Sequence, residues 1–317
     1  LEGKLLGDSA NIAISEDGTL IYLPGRNQLY VDIAVVSPNG QIDTLPFPRG
    51  PYTQPRLSPD GTILAAQSRN PVGGWEVLLM NLVTGIRQRV EVEGSYRAFP
   101  AFWLPSGREL MIGLWDPVQF LFYGARIQSL DTGQWTDIQL SGASYLSVSP
   151  DGKSFVFSDW RTGDLYVRSL TTDTTRIRIP ARGIAASFSP DGRWIAWSGI
   201  DGTVAVSPYP PTGAIYPVAE RGEMPLWRPT GDGLIYRDRS RYYTVPISTA
   251  GGFKAGRPRL LAEGPFLSTF AWNHDITPDG RLLVLLTSPE QQAGTLGVIT
   301  GFPRTIERVT RTRPQAP

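Results

Sequence analysis

The sequence predicts an all-β fold, a single β-propeller of four-stranded blades over residues 1–317, and three observations carry that expectation. One short pattern, an apolar run, a Ser-Pro-Asp-Gly-like turn and a second apolar run, recurs seven times. The 34 Gly and 28 Pro are spread along the whole chain, as many short strands joined by tight turns require. No 11-residue window carries a helical stripe, so helix is expected to be nearly absent.

The turns stand at 15–18, 58–61, 104–107, 149–152, 189–192, 228–231 and 277–280, and their glycines recur every 39 to 49 residues. Proline presets the first corner, Asp tolerates the bridge region, and Gly takes the left-handed position that closes a bulged hairpin. Each turn therefore joins two antiparallel strands. Second strands follow at 110–114, 155–157, 195–197 and 234–236, and third strands at 75–80, 165–167 and 203–207. Weaker fourth runs lie at 87–91, 175–179 and 259–261. Four strands in about 44 residues are the content of one blade, which hides its faces only against neighbouring blades. Seven turns predict seven blades. Six is the alternative, if the first or last motif completes a shared blade or lies outside the ring. Trp103, Trp194, Trp197 and Trp227 fall within strands and are expected to pack between blades.

Composition excludes several function classes. The formal net charge of +1 creates no field that would gather nucleic acid or an anionic bilayer. The absence of cysteine removes disulfides, thiolate metal sites and cysteine nucleophiles. No run approaches 18 apolar residues, so no membrane insertion is expected within this chain. A start at Leu1 fits a mature secreted chain or a domain cut from something longer.

The turns resemble those of the TolB-like propeller repeats, matched most fully at 57–65, 148–157 and 188–197. A narrower likeness, carried by 14–22 and 52–61, is to the extracytoplasmic propellers of bacterial serine/threonine kinases. This resemblance implies a periplasmic or extracellular location, attachment to a longer membrane-anchored protein, and a protein, peptide or small-molecule partner. It specifies fold better than function.

In a propeller the loops between blades gather on the face opposite the Ser-Pro-Asp-Gly turns. That face is expected to hold Arg49, Tyr52, Tyr96, Arg97, Trp115, Trp160, Arg161, Arg182, Arg221 and Arg237. Arginine and aromatic residues dominate binding hot spots, so the leading reading is a non-catalytic binding or sensor surface without a cofactor. The competing reading is a metal-assisted or promiscuous ester hydrolase at the channel mouth, with His274, Asp275 and Glu223 as catalytic groups. Neighbours on a strand point to opposite sides, so His274 and Asp275 make a poor pair. A calcium ion in the channel would draw on Glu223, Asn273, Asn11 and Gln54, but these include one carboxylate only. The Asp-Gly pairs are read as turn residues and not as calcium ligands.

Overall fold

A computed structural model describes residues 12–15, 19–22, 30–69, 75–90, 97–116, 121–140, 142–170, 174–269, 272–287 and 297–300. Every regular element among them is a strand. The chain divides into two compact units, Leu1–Leu29 with Thr287–Pro317, and Tyr30–Leu286.

The first unit holds a three-stranded sheet of β1 (Ile12–Ile14), β2 (Leu20–Tyr22) and β27 (Gly297–Ile299), with β2 in the middle. The first of the seven turns joins β1 to β2, and its Ser15 Oγ accepts the Thr19 N–H at 3.0 Å. Residues 16–18 of that turn lie outside the described residues.

The second unit contains the other six turns, and each joins the first and second strands of a sheet. Turn 58–61 links β5 (Tyr52–Leu57) to β6 (Ile63–Arg69), followed by β7 (Trp75–Asn81) and β8 (Arg87–Val90). Turn 104–107 links β9 (Arg97–Trp103) to β10 (Glu109–Asp116), followed by β11 (Leu121–Ser129) and β12 (Trp135–Gln139). Turn 149–152 links β13 (Ala143–Val148) to β14 (Ser154–Asp159), followed by β15 (Asp164–Ser169). The 13-residue β16 (Arg176–Phe188) then serves two sheets: residues 176–179 and Arg182 pair with β15, while residues from Gly183 onward pair with β17 (Trp194–Gly199). Beyond β17 come β18 (Val204–Pro208) and β19 (Tyr216–Ala219). Turn 228–231 links β20 (Glu223–Trp227) to β21 (Gly233–Asp238), with β22 (Arg241–Ser248) then pairing both β23 (Lys254–Ala255) and β24 (Arg259–Glu263). Turn 277–280 links β25 (His274–Ile276) to β26 (Leu282–Thr287). That sheet is completed from the start of the unit by β3 (Val31–Val36) and β4 (Ile42–Thr44), in the order β25-β26-β3-β4.

The expected turn chemistry is present. Ser58 Oγ donates to Asp60 Oδ1 at 2.5 Å and accepts the Ile63 N–H at 2.9 Å, and Ser149 and Ser189 repeat both bonds. The turn glycines adopt φ from +66° at Gly107 to +83° at Gly280, where a side chain is strained.

The first strands β5, β9, β13, β16, β20 and β25 touch in that order, and β25 returns to β5. This closed succession is the propeller-like arrangement. Apolar clusters fill the spaces between successive sheets. Leu165, Val167 and Ile179 meet Phe188, Ile195 and Trp197, while Val77, Leu79 and Val90 meet Leu110 and Ile112. Complete burial of a Leu or Ile of this kind contributes roughly 1.5–3 kcal/mol. Of the four tryptophans expected to pack, Trp227 is buried and donates to Ser187 O at 3.3 Å, and Trp197 is buried and donates to Ser207 Oγ at 3.1 Å. Trp194 packs against Tyr216 and Phe253, and Trp103 donates to Arg56 O at 3.0 Å.

Candidate functional site

The repeat places one side chain per first strand on a common enclosure. Two residues before each of the six turns in the second unit stand Arg56, Phe102, Ser147, Ser187, Leu226 and Asp275. All six line a cavity of about 220 Å³, together with Leu57, Pro59, Trp103, Val148 and Trp272. Each first strand from β5 to β20 carries a bulge just before this position, and Gln54, Ala185 and Met224 take left-handed φ of 54°, 53° and 56° there. Bulges re-aim side chains, which is how a pleated strand brings these residues to the enclosure.

Arg56 is 5% exposed. Its Nη1 donates to Pro55 O at 3.0 Å and His274 O at 2.8 Å, and its Nη2 has no hydrogen-bond partner. The guanidinium carbon lies 4.8 Å from the Trp272 ring centroid and 5.1 Å from that of Phe102. Burial lowers the Arg56 pKa, with Asp275 opposing the shift. Asp275 Oδ2 accepts the Leu57 N–H at 2.7 Å and its Oδ1 accepts the Ile276 N–H at 2.9 Å. Burial raises the Asp275 pKa against the pull of Arg56 and these two bonds. Sequence reasoning overlooked Arg56, although opposite charges at two of six equivalent repeat positions, Arg56 and Asp275, the others carrying Phe, Ser, Ser and Leu, were a visible signal.

The residues expected at the loop face divide into three groups. Tyr52 and Arg237 are interior. Tyr52 is 3% exposed with its hydroxyl on Pro48 O at 3.2 Å. Arg237 is fully buried and bonds Glu223 Oε1 at 2.7 and 3.0 Å, Leu267 O at 3.1 Å and Thr269 O at 2.7 Å. It ties segment 267–269 to β20 and β21, a structural position and not an exposed one. Arg49 stands 3.5 Å from Asp32, and Trp115 is half-buried in β10. Tyr96 and the Arg97 side chain lie outside the described residues.

The third group is exposed and contiguous. Trp160 is 45% exposed, with the Arg161 guanidinium carbon 5.4 Å from its ring centroid. Arg182 donates twice to Thr162 O, at 2.6 and 2.9 Å, and the next residue, Gly183, donates its N–H to Gly163 O at 2.8 Å. One repeat later Gly222, following Arg221, donates to Gly202 O at 2.9 Å beside Ile200, which is 60% exposed. An exposed arginine thus accompanies an exposed apolar side chain in two successive repeats. Of the carboxylates nearby, Asp159 and Asp201 cap their own loops and Asp164 pairs with Arg178 at 2.8 Å while also feeling the Arg182 charge; Glu220, beside Arg221, is exposed.

The groups considered for catalysis are also committed. His274 is buried, its Nε2 lies 2.9 Å from Met224 O, and burial, Arg237 and Arg56 lower its pKa well below the usual histidine value. Asp275 bonds backbone N–H groups and not His274. The described members of the expected calcium set are engaged by protein groups. Glu223 already faces a guanidinium at 2.7 Å, Asn273 spans Thr269 Oγ1 and the Gln54 N–H, and Gln54 Nε2 donates to Gln67 at 2.8 Å. Asn11 lies outside the described residues. Among the described residues no three carboxylate or histidine groups gather.

No family model matches the chain. No curated protein matches it either. Solved structures do. TolB from Acinetobacter baumannii superposes with a TM-score of 0.56 at 19% identity, over 80% of this chain and 82% of that one. A TolB candidate from Agrobacterium tumefaciens gives 0.62 at 17% identity, over 83% of this chain and 100% of that one. A candidate 6-phosphogluconolactonase from Bacteroides uniformis gives 0.52 at 16% identity, over 87% and 96%. At these identities the likeness is one of fold: the chain has a β-propeller fold of the TolB-like kind.

Proposed function

We propose that the chain is an extracytoplasmic, non-catalytic binding propeller of bacterial origin that recognises a protein partner through the loop face around Trp160, Arg161, Arg182, Ile200 and Arg221. The observation carrying this reading is that three exposed arginines there close no salt bridge within 4 Å among the described residues, while Trp160 and Ile200 beside them face solvent. Such a surface suits a partner segment that alternates carboxylates with apolar residues. The blade count of this reading is six: six first strands touch in a closed cycle, and the sheet β25-β26-β3-β4 joins both ends of the second unit. The first turn belongs to the other unit and is left out of that cycle. Likeness to TolB structures supports the extracytoplasmic assignment, and no described helix is long and apolar enough to cross a membrane. The kinase attachment remains an inference from the resemblance of 14–22 and 52–61.

A photo-crosslinking residue at position 160 tests the reading, with position 230 on the turn face as control. Crosslinks to one discrete protein are expected from 160 and not from 230, and the Arg161→Ala, Arg182→Ala, Arg221→Ala triple variant is expected to abolish them. Equal crosslinking from both positions, or an unaffected triple variant, overturns it.

A further inference from the structure

The cavity on the turn side of the second unit is independent of that loop face. Its charged groups stand on two neighbouring strands, Arg56 on β5 and Asp275 on β25, while Ser147 and Ser187 and the apolar Phe102, Trp103, Leu226 and Trp272 make much of the rest of the wall. The two charges sense one another, since each opposes the effect of burial on the other, yet no ion pair closes between them. Arg56 keeps an unpartnered Nη2, and each Asp275 oxygen accepts one backbone N–H and retains a lone pair. A volume of about 220 Å³ is far above the roughly 10–15 Å³ that one water requires.

A separated cation and anion on one apolar wall select a guest by its charge pattern. A simple carboxylate would gain Arg56 and meet repulsion from Asp275, and a simple amine the reverse. A guest carrying both charged groups on one carbon is attracted by both residues and brings no net charge into the cavity. We propose that this cavity binds a free α-amino acid with an apolar side chain, its carboxylate on Arg56, its ammonium on Asp275 and its side chain against Phe102, Trp103 and Leu226.

Titration calorimetry of the full chain tests this with L-leucine, with isocaproate, which lacks the ammonium, and with isoamylamine, which lacks the carboxylate. L-Leucine is expected to saturate, and each analogue to bind at least about tenfold more weakly, because each leaves one charged group unanswered. Asp275→Asn is expected to bring L-leucine down to the level of isocaproate, and Arg56→Met to bring it to that of isoamylamine. The comparison of the three probes on the unaltered chain decides the matter even if a variant fails to fold. Isocaproate binding as tightly as L-leucine, or no saturation by L-leucine or L-phenylalanine at millimolar concentration, overturns the proposal.

Discussion

A methyl group at Gly61 would lie 2.9 Å from Pro278 Cδ, so the turn after β5 rests on the turn after β25 from the far end of the same unit. The contact is one link of a belt. Added methyls at Gly107, Gly152, Gly192 and Gly231 would lie 3.6, 3.3, 3.4 and 3.9 Å from the prolines of the preceding turns, Pro59, Pro105, Pro150 and Pro190. Repeated local stereochemistry here becomes a tertiary contact at five of the six turns, where a turn proline covers the next turn's glycine, while at Gly280 the nearest atom is Arg228 Nη2 at 3.8 Å.

Gly61 and Gly133 separate the two roles of glycine. Both are left-handed, with φ of 72° and 70°, but nothing lies within 4 Å of a methyl at Gly133. Gly133→Ala is expected to cost only the backbone term, roughly 1–2 kcal/mol. Gly61→Ala adds displacement of Pro278 and is expected to exceed it by about 1 kcal/mol or more. Urea unfolding of the two variants measures the difference, and equal losses would mean that the belt contributes nothing.

Arg237 offers a second test. Replacing it with Met leaves Glu223 without its guanidinium and the Leu267 and Thr269 carbonyls without a donor. Removing one partner of a buried pair costs about 3–5 kcal/mol. Glu223 is partly solvated, so the loss is expected at the lower end. Adding Glu223→Gln is expected to recover part of it. Denaturant midpoints of both variants report this, and a single variant within about 0.5 kcal/mol of the parent would remove Arg237 from its anchoring role.

His274 predicts a pH dependence. Its folded pKa lies well below the ordinary value near 6.5, because burial, Arg237 and Arg56 disfavour the charged ring. Below pH ~6.5 the unfolded chain takes up a proton that the folded chain does not. Its contribution is therefore complete above that pH and is lost as pH falls, by up to about 1.4 kcal/mol per pH unit. His274 is the only histidine, so His274→Gln is expected to flatten the stability profile between pH ~5 and ~6.5. A slope that survives in the variant would have to come from another group.

The turn aspartates act in a more acid range. Hydroxyl bonds from Ser58, Ser149 and Thr277, aided by backbone N–H groups, hold Asp60, Asp151 and Asp279 below the usual carboxylate pKa. Stability from these bonds is present above the unfolded pKa of about 3.9 and is lost as pH falls through the folded values. Asp151→Asn is expected to lower Tm at neutral pH and to converge with the parent in acid, as thermal scans across that range would record. A constant Tm difference down to the lowest pH would mean that ionisation of Asp151 has no part.

The strand pairs and their turns were legible because their causes lie within a few residues: proline sets one corner, the aspartate binds its neighbours' hydroxyl and N–H groups, and glycine takes the left-handed corner. Trp160, Arg161 and Arg221 were legible as exposed because they sit on short connections, and Arg182 because it stands where β16 passes from one sheet to the next. Arg237 was misjudged. It follows an apolar run as a loop residue would, and segment 267–269, some thirty residues onward, supplies two carbonyl acceptors that complete its bonding with Glu223. The cavity was not legible because the bulges turn residues near the exit of each first strand toward it, and a bulge leaves no mark in a short window of sequence.

Sequence alone determined that the chain would be β-structured, where its hairpins turn and that Trp103, Trp194, Trp197 and Trp227 pack, because these follow from backbone stereochemistry and side-chain pattern over short range. Tertiary structure decided which sheets share β16, that β3 and β4 complete the sheet begun by β25, and that Arg56 and Asp275 face one cavity without pairing. The last two depend on contacts between residues more than two hundred positions apart, and the first on how a bulged strand divides its pairing between β15 and β17, none of which a short window of sequence contains.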